Sequence, residues 1–498
     1  MLDAAIQAVG YMFRPDVFVM LLAGIGIGIT IGILPGLGGI VGMSILLPFV
    51  WTLKPEAALA LLIGMIGVLR TSDTIPAVLF AVPGTAGAQA TIVDGYPLAQ
   101  KGQAGRALGA SFLASMIGGL IGALFLILSL PVARPIVRMM TSAQFFMLCV
   151  WGIAMVGVLA GTQPIKGVVA GLLGLLLASM GGAPSIYEFR YTFGLPYLED
   201  GISLVTVALA FFAMPEIADL VIRGTTIATI PDKLGKGIRD GMKDTLRNWW
   251  LVLRVSVIGT FIGFIPGLGA ATANWIAYGH ALQCAKDKSQ FSKGDIRGVI
   301  APEAANNAAD GGAIIPTLIF GIPGSGSMAI FLFALMVMGV TPGQTILTTQ
   351  LPLAFVCIWS FAMANVIAAG LCIFLARPFA ALTRVKVHSW VPVALMLIIL
   401  GAFQSSRSWG DLFILLILGL LGWFMKRAGW PRPPIIIGFV LGRLAEKYFW
   451  ISTARYGASW LWQPGVIILA IIIVISVLAG LRMKPAGGMA AEAEVEKP

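Results

Sequence analysis

The chain has 498 residues, 58% of them hydrophobic and 11% charged, with a mean hydropathy of +0.94. A soluble domain carries roughly 25% charged residues, so this composition excludes an ordinary soluble fold. The net charge of +11 is not gathered into one basic surface; it collects in the short segments Arg223–Arg247, Lys286–Arg297, Arg377–Lys386 and Lys426–Arg432. Short Lys/Arg-rich loops orient a membrane protein by staying in the cytoplasm, so the expected surroundings are a lipid bilayer and not nucleic acid.

In chain order, the N-terminal "MLDAAIQAVGYMF" has neither a basic n-region nor a small-residue cleavage site, and it is not read as a removed signal peptide. Apolar runs then recur to the end, among them Trp249–Ile265 and Gln463–Leu481. A span needs about 20 apolar residues, and counting such runs predicts about 12 transmembrane helices. Alternating ten-residue segments, the mark of a β-barrel, are not visible. The fold class expected is an all-α integral membrane protein with two internally repeated halves containing broken helices or re-entrant hairpins. Cys149, Cys284, Cys357 and Cys372 are scattered, and His280 and His388 are the only histidines, so zinc sites and disulfide frameworks fail on counting. No metal centre or organic cofactor is expected.

The stretch "GITIGILPGLG" at Gly28–Gly38 returns as "GTFIGFIPGLG" at Gly259–Gly269, with seven of eleven positions identical. Each copy is followed by a second break, "TIPAVLFAVPGTAG" from Thr74 and "IIPTLIFGIPGSGS" from Ile314, with paired prolines at Pro76/Pro83 and Pro316/Pro323. Two matches in the same order predict an internal duplication. The expected organisation is a first repeat over 1–222, with breaks near 35 and 83, and a basic cytoplasmic connector over 223–247. The core of the second repeat follows over 248–344, with breaks near 266 and 323, then scaffold helices over 345–482 and a disordered tail over 483–498.

Irregular backbone survives at membrane depth only where protein or a polar cavity surrounds it. A half-helix starting at such a break directs free N–H groups and a positive dipole end into the cavity, where anions bind, while freed carbonyls hold cations. The alternative is that the glycines let helices pack closely. The candidate substrate- and ion-binding positions are therefore the breaks themselves: Pro35, Gly36, Gly38 and Ser44; Pro83, Gly84 and Thr85; Pro266, Gly267 and Gly269, with Thr272 and Asn274; and Pro323, Gly324, Ser325 and Ser327. Polar residues between the breaks join them: Arg70, Ser72, Asp73 and Thr74 in the first half, Glu303, Asn306, Asn307 and Asp310 in the second. Intramembrane ionisable residues are functional candidates by default. Asn306, Asn307 and Asp310 are candidate sodium ligands, and the coupling ion is sodium or a proton. An Arg70–Asp73 helix pair is the structural alternative.

"PEAANNA" at Pro302–Ala308, "GIPGS" at Gly321–Ser325, "DGYPLAQKGQAGRALG" at Asp94–Gly109 and both "PGLG" motifs resemble the large membrane subunit of tripartite tricarboxylate transporters, the TctA family. The resemblance spans essentially the whole chain. It implies a multi-pass protein of the bacterial inner membrane that imports di- or tricarboxylates or related organic acids. It also implies an ion gradient as the driving force, with a small membrane subunit and a periplasmic solute-binding protein as partners. Two departures stand out. In that family the segment before the first proline pair is glycine- and tyrosine-rich, whereas here it is "VLRTSD"; an Asn often precedes the first "PGT", whereas here Ala81 and Val82 do. Both fall where substrate is expected, so Arg70 is assigned to a carboxylate of a non-citrate substrate. The segment Asp94–Gly109 is expected to be a polar loop feeding a helix from about Arg106.

No "GxxxxGK[ST]" loop is present to hold a nucleotide phosphate, which excludes an ATP-driven pump. An anion channel would need a continuous lined pore. A membrane-embedded enzyme would have to work with Asp73, Glu303 and Asp310 without a His or Cys partner, so no enzymatic activity is expected. Alternating access is the expected mechanism; rocking and elevator motions both remain open in the sequence, and the duplicated breaks beside a static-looking C-terminal region lean toward an elevator.

Overall fold

The computed structural model describes residues 1–34, 38–159, 163–183, 188–223, 237–266, 269–376, 378–379 and 387–482. Pro35, Gly36, Gly267, most of the 223–247 connector and the tail over 483–498 lie outside them. The described residues are mostly helical, and their strands are one two-residue hairpin pairing Gly181–Gly182 with Phe189–Arg190. Among the described residues, five helices are long and apolar enough to cross a membrane, or six if the pair Pro433–Trp462 and Pro464–Leu478, bent by 71°, counts as one span. Further apolar segments are helices of 10–17 residues, Gly38–Val50, Trp249–Phe264 and Gly326–Val337 among them. The expected dozen spans is thus not reached by full-length helices, because the breaks divide apolar runs into shorter pieces.

The elements that carry the site come in two series. The first is α1 (Pro15–Ile33), α2 (Gly38–Val50), α3 (Pro55–Ser72), α4 (Thr74–Phe80) and α5 (Gln89–Gln100), followed by the 36-residue α6 (Ala104–Met139). The second is α7 (Trp249–Phe264), α8 (Gly269–Cys284), α9 (Arg297–Phe320) and α10 (Gly326–Val337). α11 (Leu351–Phe374) packs against both α3 and α6.

The backbone leaves its helices in the same way in both series. α1 ends at Leu34 (φ −85°, ψ 107°) and α7 at Ile265 (φ −80°, ψ 114°). α2 and α8 then begin on left-handed glycines, Gly38 (φ 57°) and Gly269 (φ 66°). α4 closes on Ala81 (φ 55°) and α9 on Gly321 (φ 67°), whose N–H groups bond the carbonyls of Pro76 and Pro316. A left-handed alanine is uncommon; here the closing bond to Pro76 accompanies it. Thr85 and Ser325 then take extended backbone, and their hydroxyls accept from Gly87 N and Met328 N to start the next helical turn, as N-caps do.

Helix pairing repeats as well. Cβ atoms built on Gly28 and Gly32 of α1 would meet the carbonyls of Met65 and Leu69 on α3, and those on Gly259 and Gly263 of α7 would meet the carbonyls of Ala305 and Ala309 on α9. Small residues here set helix–helix distance.

Elsewhere the helix Met214–Arg223 is bolted to Trp409–Arg427 by Lys426, which lies 2.7 Å from both Glu216 and Asp219. Trp423 adds a bond to Asp219 at 2.9 Å. Among the tryptophans near the C-terminal helix ends, Trp409 and Trp462 are exposed, whereas Trp460 is buried between Phe146 and Phe449.

Gly26 faces outward, and a Cβ there meets nothing within 4 Å. Gly28→Val and Gly263→Val should each destabilise the purified protein by about 1–3 kcal/mol through overpacking, while Gly26→Val should be near neutral. Unfolding in detergent checks this; equal effects at the three positions would refute the packing assignment.

Candidate functional site

α3 is buried on all sides, and its last turn places Arg70, Thr71 and Ser72 at the join with α4, where Asp73 sits. Arg70 Nε donates to Asp310 Oδ2 of α9 at 3.2 Å, and its Nη1 donates to Thr85 Oγ1 at 3.0 Å. Thr85 in turn donates to Asp73 Oδ2. Thr85 thus sits between Arg70 and Asp73, and Asp310, 240 residues away in sequence, supplies Arg70's carboxylate. The Arg70 side chain keeps 16% of its surface, against 6% for Asp310, so the guanidinium is the reachable member of the pair.

Gly87, two residues past Thr85, is the centre of a crowded polar space. A Cβ there would lie 2.7 Å from Asn306 Oδ1, 2.9 Å from Arg70 Nη1 and 3.3 Å from Asn274 Nδ2. Asn274, in the second turn of α8, donates to the Gly87 carbonyl. Gly84 closes the other side: a Cβ would overlap Asp73 Cα and the Gly32 carbonyl. Only glycine permits these approaches. Asp73 Oδ1, Asn274 Oδ1 and both amide atoms of Asn306 are buried with no hydrogen-bond partner among the described residues. Buried polar atoms without partners are rare and call for explanation.

The four breaks do not converge on one point. The break after α4 meets α8, the helix that follows the second "PGLG", through Gly87 and Asn274. The break after α9 meets α2, the helix that follows the first: a Cβ on Gly39 would lie 2.8 Å from Ser327 Oγ and 3.6 Å from Leu69 Cδ2. Each break pair therefore joins one half to the other. The first pair is polar. The second is lined by Ile40 and Leu69, and Gly324 there faces Ala313 where Gly84 faces Asp73.

The remaining expected residues fall at varied distances from this space. Glu303 is fully buried and accepts Thr91 at 2.6 Å, Thr74 at 2.7 Å and Ser115 at 3.0 Å. Asn307 donates to Thr71 at 2.9 Å and to Asn365 at 2.7 Å, pointing toward α11. Ser44 spends its hydroxyl on Ile40 of its own helix, and Ser72 spends its own on the carbonyls of Gly28 and Leu69. Ser325 caps α10, Thr272 Oγ1 is buried without a partner among the described residues, and Pro266 closes the turn before α8. Pro83 and Pro323 lie in the extended links before the caps. Gly87, Thr91, Ser115 and Asn365 were missed in the sequence, since each is a small or hydroxyl-bearing residue, or a lone amide, inside an apolar run. Asp94–Gly109 is mostly helical rather than a loop: α5 runs through Gln100 and α6 starts at Ala104. The reason is tertiary. Buried Asp94 accepts Tyr278 OH at 2.9 Å and the N–H groups of Gly294 (2.8 Å) and Asp295 (2.9 Å), which pins α5 to the loop before α9.

The candidate site is therefore the polar junction where the break after α4 meets α8, beside the Arg70–Asp310 pair that joins α3 to α9. Residues 18–437 match the model described as "Tripartite tricarboxylate transporter TctA family". The chain belongs to the TctA family. That family is the large subunit of tripartite tricarboxylate transporters, so this is a multi-pass membrane protein of a transport family and not of an enzyme family. A relative from Agrobacterium vitis, "Uncharacterized 52.8 kDa protein in TAR-I ttuC' 3'region", is 28% identical over 445 residues, 87% of this chain and 86% of that protein. A second, "Uncharacterized protein in TAR-II ttuC' 3'region" from the same organism, is 30% identical over 190 residues, 38% of this chain and 78% of that protein. No solved structure matches the chain.

Glu303→Ala would leave three buried hydroxyls without their acceptor, at about 1–3 kcal/mol for each group left unpaired. Thermal unfolding should show a clear loss for Glu303→Ala and a smaller one for Glu303→Gln, which keeps a carbonyl. Unaltered stability of the alanine variant would refute the bonding described.

Proposed function

We propose that the chain is the permease subunit of a binding-protein-dependent symporter that imports a small organic acid anion across the bacterial inner membrane. The observation that carries this reading is Arg70, a partly accessible guanidinium set among fully buried polar groups at the start of a helical turn. An arginine matches a carboxylate bidentately, and the unpartnered amide of Asn306 beside it offers both a donor and an acceptor to a second polar group on the substrate. An arriving carboxylate would share or take Arg70 from Asp310. A small membrane subunit and a periplasmic solute-binding protein are the partners that the family membership supports.

Alternating access follows from the cross-bracing in this reading. The matched capping angles and glycine contacts of the two series support an internal duplication, with the substrate held where a break of one half meets a helix of the other. The ionically bolted helices around Lys426 would serve as the static part and the broken series as the moving part, in an elevator-like motion. Import of an anion against the membrane potential requires co-transport of cations, since each elementary charge moved costs about 2.3 kcal/mol per 100 mV.

Uptake into proteoliposomes with the cognate binding protein, over a panel of carboxylates and under sodium or proton gradients, tests this. Arg70→Gln should reduce uptake on the order of tenfold or more, the value of a lost charge-assisted bond. Because that change strands Asp310, the double variant Arg70→Gln/Asp310→Asn should recover stability but not uptake. Full transport by the double variant would remove Arg70 from the site, and carboxylate current without gradient coupling would favour a channel.

A further inference from the structure

We propose that Glu303 is the site at which the coupling proton is taken up and released, held in a shell of hydroxyls that serves both its charged and its neutral form. The inference rests on the symport reading above and names its coupling ion and that ion's seat.

Glu303 stands fully buried in α9, and the donors the structure gives it come from three helices of the first half. Thr74 of α4 and Ser115 of α6 donate to Oε2, and Thr91 of α5 donates to Oε1. All three are hydroxyls. A backbone N–H or a guanidinium can only donate, so a carboxyl ringed by them loses a bond when it gains a proton. A hydroxyl can donate or accept, and it follows the carboxyl through both states. Ser115 shows how. It lies within α6, where a serine can turn its proton to the carbonyl four residues earlier, as Ser111 of the same helix does toward Ala107 at 2.9 Å. With its proton turned to the Ser111 carbonyl, Ser115 Oγ accepts from a protonated Oε2 across the same 3.0 Å. One proton enters, and no partner is lost.

The other buried carboxyls of the junction lack this property. Asp310 faces the guanidinium of Arg70. Asp73 Oδ2 accepts from Thr85, whose oxygen already accepts from Arg70 Nη1 at 3.0 Å and from Gly87 N at 3.2 Å. A hydroxyl oxygen has two lone pairs, so Thr85 has none left for a proton on Oδ2. Asp73 Oδ1 has no hydrogen-bond partner among the described residues, so a proton there would lack an acceptor.

The place of Glu303 ties its proton to the anion. Thr74 follows Asp73 directly, Thr91 comes four positions after Gly87, and Asn306 lies three positions beyond Glu303 on α9. The charged groups that face Glu303 are Arg70 and Asp73, with Asp310 further along α9. On the other helices packed against α9, Asp94 of α5 binds Tyr278, Arg106 of α6 binds Asp244, and Arg254 of α7 and His280 of α8 lie by Cys284. Three carboxylates around one guanidinium repel an arriving anion, and a proton on Glu303 removes one of those charges.

The test has two arms. In proteoliposomes carrying the complete transporter, with the membrane potential clamped, a proton gradient should drive carboxylate accumulation of about tenfold per pH unit for each coupled proton. Glu303→Gln should lose that accumulation, and its remaining carboxylate exchange should no longer depend on pH. The second arm uses the purified chain in detergent without any carboxylate, so that it does not depend on transport. Infrared difference spectra taken as the pH crosses neutrality should show a protonated-carboxyl band that titrates, is missing from Glu303→Gln and persists in Asp73→Asn. Ser115→Ala should move the midpoint of that band by on the order of one pH unit or more, the value of a bond to a charged group. Uptake driven by sodium alone, a titrating band that survives in Glu303→Gln, or a midpoint unmoved in Ser115→Ala would each overturn the proposal. Should Glu303→Gln not fold, the gradient dependence of the unmodified transporter and the Ser115→Ala midpoint decide. Titration of Glu303 in a chain unable to take up any carboxylate would overturn the transport reading and leave the proton site standing.

Discussion

Everything at the candidate site depends on one ion pair, Arg70 with Asp310. The two residues stand six positions before Pro76 and Pro316, the prolines that begin the matched second breaks. Equivalent places in the two series thus carry opposite charges, and those charges meet. A buried ion pair contributes little net stability once desolvation is counted, yet breaking it is expensive. Its value is registry: it fixes α3 against α9, and with them the two breaks that follow. In the transport reading proposed above, an anion competing with Asp310 for Arg70 would alter the contact that holds the halves in register, and binding would be coupled to conformational change through one guanidinium.

That pair can form only because the helices approach closely enough. Gly28 and Gly32 let α1 press on α3, and Gly259 and Gly263 let α7 press on α9. Without a hydrophobic driving force between helices in lipid, such close packing is a main source of association. Glycine therefore has two separate roles in the repeated stretch. Gly38 and Gly269 supply left-handed backbone at the break itself, while the glycines before the break set the helix spacing. Packing and a binding role do not compete in these motifs, since the packing glycines are what bring the candidate break into place.

Much of this was legible in sequence for a physical reason: helix breakers in apolar surroundings are conspicuous, and doubling them makes the match specific. Pro76/Pro83 and Pro316/Pro323 marked both later breaks, and Arg70, Asp73, Asn306 and Asp310 were visible as polar residues in apolar runs. What sequence did not disclose was partnership across the halves. Periodicity placed Arg70 one turn from Asp73, but its structural carboxylate partner is Asp310, 240 residues away. Gly87 gave no signal, because its importance lies in the absence of a side chain where three polar groups converge. Asp94 led to a loop assignment for a segment that is mostly helical, since the bonds that hold the helix reach Gly294 and Asp295, about 200 residues on.

The two break pairs share a backbone plan but not a chemistry, and the difference carries the functional argument further than their likeness. Where Gly84 faces Asp73, Gly324 faces Ala313; where Gly87 meets two asparagines and an arginine, Gly39 at the second pair meets Ser327 and Leu69. A shared backbone geometry allows a broken helix to exist twice in an apolar chain, but it does not require polar residues at either place. Their concentration at one pair, at the desolvation cost of buried polar atoms without partners, is what a binding site demands and what packing alone would select against. In the transport reading, the second pair could slide or separate without stranding a charge, so that a ligand would be held at one junction while the other moved.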